Sequence, residues 1–134
     1  MKTFAIRSRY GKIRFELLND KAPATCKAFL KRLPFKTPGV QARFAGEEIW
    51  APKGPLLNVR RENATRRPRF GEVGYVVSEK RSALSGSIAL VYGEAYLSAS
   101  ANVFAKVHKA DKLKLKRLGK KIWLRGQTVL GFNV

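Results

Sequence analysis

The chain has 134 residues, of which 45% are hydrophobic, and this length and composition indicate one globular domain over 1–134 with a buried core. Its 28 Lys and Arg residues against 9 Asp and Glu give a net charge of +19, which attracts polyanions such as nucleic acid, an anionic membrane or acidic metabolites. No apolar run approaches the length of a transmembrane helix, so a membrane-spanning protein is excluded, while a dedicated polyanion site and a generally basic surface both stay open.

The N-terminal part is predicted to form a hairpin followed by one helix. Apolar residues alternate with polar ones over 2–9 and 12–18, the period of half-buried strands. A helix is predicted over 22–33, with Asp20 as its N-cap and Pro23 in its first turn, where a missing N–H costs nothing.

The only cysteine, Cys26, lies on the predicted buried face of this helix. An inert core residue is therefore the better interpretation than a reactive thiol. A single cysteine excludes an intrachain disulfide, and together with the absence of a signal-peptide pattern it predicts a cytoplasmic protein.

The middle of the chain is predicted to contain a rigid loop, two strands and a long connection. Two prolines predict a loop at 34–39, and alternation predicts a strand at 40–44 with a partner strand at 48–51. Prolines, glycines and arginines fill 52–69, which predicts a long loop of the kind that is often functional.

The second half is predicted to consist of short strands and one more helix. A turn is predicted at 82–86 and a helix over 111–120, which Asp111 caps and Gly119 ends. Further strands are predicted at 73–77, 87–92, 103–107, 122–124 and 128–134. This order of elements predicts a mainly β protein, either a closed antiparallel barrel or a sandwich.

Two segments resemble the cyclophilins. The first is the strand-to-helix pattern D-x-x-P-x-T-x-x-x-F, which runs here from Asp20 to Phe29. The second is Tyr96–Val107, which is similar without a gap to the cyclophilin segment W-L-D-G-K-H-V-V-F-G-K-V. The resemblance implies a closed barrel of about eight antiparallel strands with two short helices.

The isomerase residues of the cyclophilins are largely missing. The histidine of the second segment corresponds to Ala101, and the arginine motif F-H-R has no clean equivalent. Arg43 is the one candidate for the catalytic arginine, and its register on the predicted strand is uncertain by one residue, which would turn it to the other face. A divergent peptidyl-prolyl isomerase is therefore the third hypothesis for function.

Several other segments look like the small, uncharacterised bacterial cyclophilin-like proteins that lack the isomerase residues. They are Gly46-Glu47-x-Ile49-Trp50, Glu62-Asn63-Ala64-Thr65, Pro68-x-x-Gly71-Glu72 and the late run L-x-x-L-G-K-K-I-W. This resemblance implies the barrel and leaves the chemistry open. The leading hypothesis is an uncharacterised binding domain without isomerase activity that takes a small or peptide ligand on the barrel face.

The sequence lacks the residues that most catalytic mechanisms require. His108 is the only histidine, so neither a metal site nor a Ser-His-Asp triad is predicted, and a solvated or capping role suits it better. Phosphate-loop and dinucleotide fingerprints are absent, so no cofactor is predicted. Glu47 and Glu48 are adjacent on a strand, and they point to opposite faces rather than forming an acid–base pair.

The candidate ligand-binding residues lie on the barrel face where cyclophilins bind peptides. They are Arg43, Glu47, Trp50, Asn63, Tyr96 and Asn102. Packing at the barrel rim is the alternative role for Trp50 and Tyr96, and a local turn is the alternative for Asn63.

A nucleic-acid-binding protein is the rival hypothesis, because two basic clusters could bind polyanions. The candidate residues are Arg60, Arg61, Arg66, Arg67 and Arg69 in the long loop, and Lys112, Lys116 and Lys120 on the second helix. Arginine forks suit phosphate, although no nucleic-acid-binding motif is present. The sequence predicts no oligomeric state.

Overall fold

The computed structural model describes residues 2–77 and 86–134, which form nine strands and two α-helices. The predicted turn at 82–86 lies outside these ranges except for Gly86. The strands are β1 (Thr3–Ser8), β2 (Gly11–Leu17), β3 (Phe35–Gln41), β4 (Gly46–Ala51), β5 (Ala64–Thr65), β6 (Glu72–Val76), β7 (Ile88–Ala95), β8 (Ala101–Val107) and β9 (Thr128–Asn133). The helices are α1 (Pro23–Arg32) and α2 (Lys112–Arg125), and a 3-10 turn (Lys109–Asp111) precedes α2.

Eight of these strands form a closed antiparallel barrel, as predicted. The strand order is β2-β1-β9-β3-β4-β7-β6-β8, and β8 pairs with β2 to close the ring. The ninth strand, β5, has two residues and pairs with β8 beside the point where β2 pairs with it. Closure removes the free sheet edges that would otherwise present unpaired backbone groups.

A cluster of phenylalanine rings fills one part of the barrel interior. The ring of Phe4 stacks on Phe15 with the centroids 5.2 Å apart and meets Phe29 of α1 edge-on at 4.8 Å. Phe29 also contacts Phe104 at 4.7 Å, so α1 closes this part of the core with an aromatic side chain. Offset and edge-on aromatic pairs add roughly 0.5–1.5 kcal/mol each beyond the area that they bury.

The first turn of α1 is held by a residue that the sequence did not suggest. Ala22 is the N-cap and makes no side-chain capping bond, so the prediction that Asp20 caps the helix is wrong. The Glu62 carboxylate accepts the Thr25 amide at 2.5 Å instead, and Pro23 occupies the start of the helix as expected. The long loop thus supplies the missing acceptor for the helix amides.

The prediction of a loop at 34–39 is wrong, because β3 runs from Phe35 to Gln41 and pairs with β9 over most of its length. β3 pairs with β4 only at Val40 and Gln41. Among the described strands, Pro38 therefore has a partner on one side only, β9, and the sheet tolerates the missing N–H of proline at this position. The predicted strand 40–44 correspondingly ends early. Arg43 lies in the turn that follows, which the Ala45 amide closes on the Ala42 carbonyl at 2.9 Å.

The prediction of a strand at 122–124 is also wrong, because α2 continues past Gly119 to Arg125. The helix ends at Gly126, whose φ is +87°. Gly119 is required by packing rather than by a helix end. A Cβ atom at this position would lie 2.4 Å from Cγ of the Tyr92 ring. The helix therefore contacts the barrel through a residue that has no side chain.

Asp111 occupies the N-cap position of α2, but its side chain makes no capping bond to the helix. It binds the barrel instead. Its carboxylate accepts the Arg14 amide at 2.8 Å and the Arg14 guanidinium at 3.0 and 3.1 Å. Lys114 lies 3.6 Å from the same carboxylate. These donors hold the pKa of Asp111 well below its usual range.

Candidate functional site

A cleft of about 910 Å³ lies between the β4–β7 ladder, the long loop and α2. The described residues that line it are Ala45, Glu47, Arg67, Pro68, Arg69, Phe70, Gly93, Glu94, Ala95, Tyr96 and Lys116. This volume lies within the range of roughly 300–1,000 Å³ that small-molecule sites occupy. The cleft therefore has the size of a ligand site.

The acidic part of the cleft is held in a defined geometry. The Glu47 carboxylate accepts the backbone amide of Glu94 at 3.2 Å. It rests against Gly93, where an added Cβ would lie 2.2 Å from Glu47 Oε1. Glycine at 93 thus leaves the space that positions Glu47, while Glu94 adds a second carboxylate to the lining.

The basic side chains at the cleft lie against two aromatic rings. The guanidinium carbons of Arg66 and Arg67 lie 4.9 and 4.8 Å from the centroid of the Tyr96 ring. Lys116 of α2 lies 5.9 Å from the centroid of the Phe70 ring. Arg66 does not itself line the cleft, and its guanidinium donates to the Leu97 carbonyl at 2.9 Å. The two predicted basic clusters therefore meet here through Arg67, Arg69 and Lys116.

The remaining residues of the predicted basic clusters do not line the cleft. Arg60 and Arg61 are exposed in the long loop, and the Arg60 carbonyl accepts the Asn102 side chain at 2.8 Å. Lys112 and Lys120 are exposed on α2. The clusters thus converge in part, and sequence proximity did not show which members would meet.

Asn63 and Asn102 join the long loop to the barrel. The Asn63 amide donates to the Val103 carbonyl at 2.8 Å, rather than to its own turn. Asn102 is 1% exposed, donates to Thr25 Oγ1 at 3.1 Å and accepts the Glu62 amide at 3.1 Å. Asn102 is thus engaged through both ends of its amide in holding β8, α1 and the loop together, and the exposed Asn63 adds one bond between the loop and β8.

Arg43 and Trp50, two further predicted ligand residues, contact different aromatic side chains. The Arg43 guanidinium carbon is 4.6 Å from the centroid of the Trp123 ring on α2. Trp50 is half-buried and meets Phe44 edge-on, with the centroids 6.1 Å apart. The predicted ligand set is therefore divided among four places, and of its members only Glu47 and Tyr96 line the cleft.

A small apolar cluster covers the outer face of the barrel around Trp50. It consists of Ala42, Ala45, Val76, Ala89, Leu97 and Ala101, with Trp50 and Ala99 packed on it. Ala101, which corresponds to the cyclophilin histidine, is completely buried in this cluster. Methyl and aromatic groups thus occupy the position where the resemblance would place polar isomerase chemistry.

One buried carboxyl lies beside this cluster. Glu48 is 5% exposed, and burial raises its pKa to about 7. It shares a cavity of about 20 Å³ with Ser87, whose buried Oγ has no hydrogen-bond partner among the described residues. A space of this size holds one water molecule and no larger group.

Neither a metal-binding cluster nor a reactive thiol is found among the described residues. Across 2–77 and 86–134, no three His, Cys, Asp or Glu side chains lie close enough together to hold a metal ion. Cys26 is buried, and desolvation raises the pKa of its thiol to about 11, which suppresses the thiolate. His108 caps the 3-10 turn by accepting the Ala110 amide at 3.1 Å. Within the same ranges, no helix combines the length and the apolar character needed to cross a membrane.

Comparison with known proteins identifies a family and a fold. The model of a family described as "Protein of unknown function (DUF3830)" matches residues 4–133. No curated protein sequence matches the chain. Among solved structures, the hypothetical protein AF2241 from Archaeoglobus fulgidus is similar, with a TM-score of 0.66 and 18% identity over 98% of this chain and 92% of that one.

Two other solved structures were determined with small molecules. McbB, in complex with tryptophan, gives a TM-score of 0.73 at 15% identity over 97% of this chain, which spans only 44% of the McbB chain. A cyclophilin-type peptidyl-prolyl isomerase from Cryptosporidium parvum, in the presence of the dipeptide Ala-Pro, gives 0.52 at 18% identity over 86% and 85% of the two chains. These likenesses confirm the predicted cyclophilin-like fold, and at such identities they show the fold alone.

Proposed function

Since the chain belongs to the DUF3830 family of proteins of unknown function and has a cyclophilin-like fold, we propose that it is a non-catalytic domain that binds a small zwitterion in the cleft. The observation that carries the proposal is the shared lining of this cleft. Glu47 and Tyr96 from the predicted ligand residues lie there with Arg67, Arg69 and Lys116 from the predicted polyanion residues.

The ligand class follows from the chemistry of the lining. Carboxylates of Glu47 and Glu94 favour an ammonium group, while Arg69 and Lys116 favour a carboxylate. Phe70 adds an apolar surface to the lining. Amino acids and short peptides carry both charges, and tryptophan and Ala-Pro, which accompany two of the similar structures, belong to this class.

The experiment is a calorimetric titration of the full chain with the twenty amino acids and Ala-Pro at low salt. We expect at least one of these zwitterions to bind, and Glu47→Gln and Arg69→Gln each to weaken that binding at least tenfold. Gly93→Ala should weaken it as well, because its methyl group displaces the Glu47 carboxylate without changing any charge.

Matched controls separate a site from the general charge of the surface. Glu16→Gln and Arg61→Gln make the same chemical changes at residues outside the cleft lining, and we expect each to alter affinity less than twofold. Binding by none of the zwitterions, or equal losses in the controls, would refute the proposal.

We further propose that the domain does not isomerise prolyl bonds. An isomerase needs a polar group beside the proline pocket and an arginine aimed at the amide. The buried Ala101 and the stacking of Arg43 on Trp123 support this absence. In a proline-peptide isomerisation assay the rate should equal the uncatalysed rate, and activity that Arg43→Ala abolishes would contradict this expectation.

Nucleic-acid binding is the second candidate function, and the meeting of Arg67, Arg69 and Lys116 at one cleft favours it. The carboxylates of Glu47 and Glu94 in the same cleft oppose it, because they repel phosphates. Neutralising about six phosphates would give a log–log salt slope near −5. Mobility shifts with RNA and DNA at low salt test this candidate, and their absence would exclude it.

A further inference from the structure

A second cavity lies on another side of α2, against the turn between β1 and β2, and its volume is about 360 Å³. The described residues that line it are Ser8, Tyr10, Gly11, Lys12, Ile13, Lys114, Arg117, Leu118 and Lys121. Four of these nine residues are cations. The cavity shares no described lining residue with the cleft, so it is a separate feature of the molecule.

The helix brings three of the cations together. Lys114, Arg117 and Lys121 are spaced by three and four positions, which places them on one face of α2 beside the buried Leu118. Lys12 reaches the same cavity from the hairpin. This convergence depends on tertiary structure, because the two elements are about a hundred positions apart in the chain.

No carboxylate lines the described part of this cavity. The nearest acid in an ion pair is Asp111, which lies 3.6 Å from Lys114. That carboxylate is already occupied by three hydrogen bonds from Arg14 and is 1% exposed. It therefore neutralises little of the charge of the four cations.

The hairpin adds to the excess positive charge. Lys12 lies directly opposite Arg7 across the β1–β2 ladder, and like charges in that position repel. The Ser8 hydroxyl oxygen accepts the Tyr10 amide at 3.1 Å, which leaves the hydroxyl proton available as a donor. An anion in the cavity would relieve the repulsion and accept a hydrogen bond from that hydroxyl.

We propose that this cavity binds a small molecule that carries a phosphate group, with at least two negative charges. The guanidinium of Arg117 offers paired donors that match phosphate geometry, and the lysines add point charges around it. The volume is within the range for small-molecule sites, and the concave shape suits a compact anion better than a continuous strand. The proposal is independent of ligand binding in the cleft.

The test uses inorganic pyrophosphate as the probe, titrated into the full chain by calorimetry at about 50 mM salt. Arg117→Gln with Lys121→Gln should weaken binding at least tenfold, and Lys12→Gln alone at least threefold. None of these side chains has a hydrogen bond or ion pair among the described contacts, so the variants should fold. Lys112→Gln with Lys120→Gln removes the same charge from the same helix outside the cavity, and should change affinity less than twofold.

The outcomes distinguish a built site from the general field of a chain with a net charge of +19. Equal losses in the two double variants, or no pyrophosphate binding, would overturn the proposal. A second titration uses single-stranded DNA of about ten nucleotides, to separate small phosphate compounds from nucleic acid. Tighter binding of that DNA than of pyrophosphate, with losses in both double variants, would also overturn it.

Discussion

Replacing Gly119 with alanine tests how α2 is held on the barrel. The added Cβ would lie 2.4–2.5 Å from three atoms of the Tyr92 ring, whereas carbon atoms pack at roughly 3.5–4.0 Å. The ring cannot easily move, because it is 2% exposed and its hydroxyl donates to Gln41. Overpacking of this kind costs about 1–3 kcal/mol, and the better helix propensity of alanine returns about 1 kcal/mol.

We therefore expect Gly119→Ala to lower the free energy of unfolding by up to about 2 kcal/mol. Urea denaturation followed by tryptophan fluorescence measures this change as a lower midpoint with an unaltered slope. Gly131→Ala is the matched control, since the atom nearest to its added Cβ is the Arg7 carbonyl oxygen at 3.8 Å. The control should be neutral or stabilising by up to about 1 kcal/mol. If both variants behaved alike, the close approach of α2 to Tyr92 would not determine the position of the helix.

Two further predictions concern pH. Arg14 lowers the pKa of Asp111 in the folded state. The carboxylate therefore stabilises the fold at pH values above the pKa that Asp111 has in the unfolded chain, and this stabilisation is lost as the pH falls through the folded-state pKa. Asp111→Asn should destabilise the protein by about 1–3 kcal/mol at pH 7, with a smaller difference in thermal unfolding toward pH 3; an equal difference at both pH values would contradict this. Burial raises the pKa of Glu48 from 4.5 to about 7, so its contribution is complete below pH 4.5 and is lost as the pH rises through 7. Glu48→Gln should therefore stabilise the protein at pH 8 by up to about 3 kcal/mol and have little effect at pH 4, whereas a pH-independent effect would show that Glu48 keeps its ordinary pKa.

Local sequence patterns predicted the architecture of the barrel, but they did not predict the positions where proline and glycine depart from their usual roles. The alternation of β1 and β2, the helix that starts at Pro23 and the cyclophilin-like motifs predicted the closed barrel. The sequence could not show that Pro38 lies in a strand, because this depends on how far β4 pairs with β3. Similarly, Gly119 looks like a helix end unless the Tyr92 ring against it is known.

The site was less predictable, because its contacts join distant parts of the chain. Glu47 and Tyr96 were recognised as ligand candidates, and Arg67 and Lys116 as polyanion candidates, but nothing local indicated that these two groups share a cleft. Asn102, within the segment Tyr96–Val107, is likewise predicted as a ligand residue. Its partners are Thr25, Arg60 and Glu62, and no spacing rule relates these positions.

The position of β9 has a consequence for how the chain acquires its structure. β9 lies between β1 and β3, so a strand from the end of the sequence pairs with Ala5 on one side and with Phe35 on the other. Until residues 128–133 are available, β1 and β3 have no partner between them and the barrel stays open. Such long-range pairing gives a high contact order, for which folding times lie in the range of about milliseconds to seconds. A nascent chain therefore exposes two unpaired strand edges until residues 128–133 leave the ribosome.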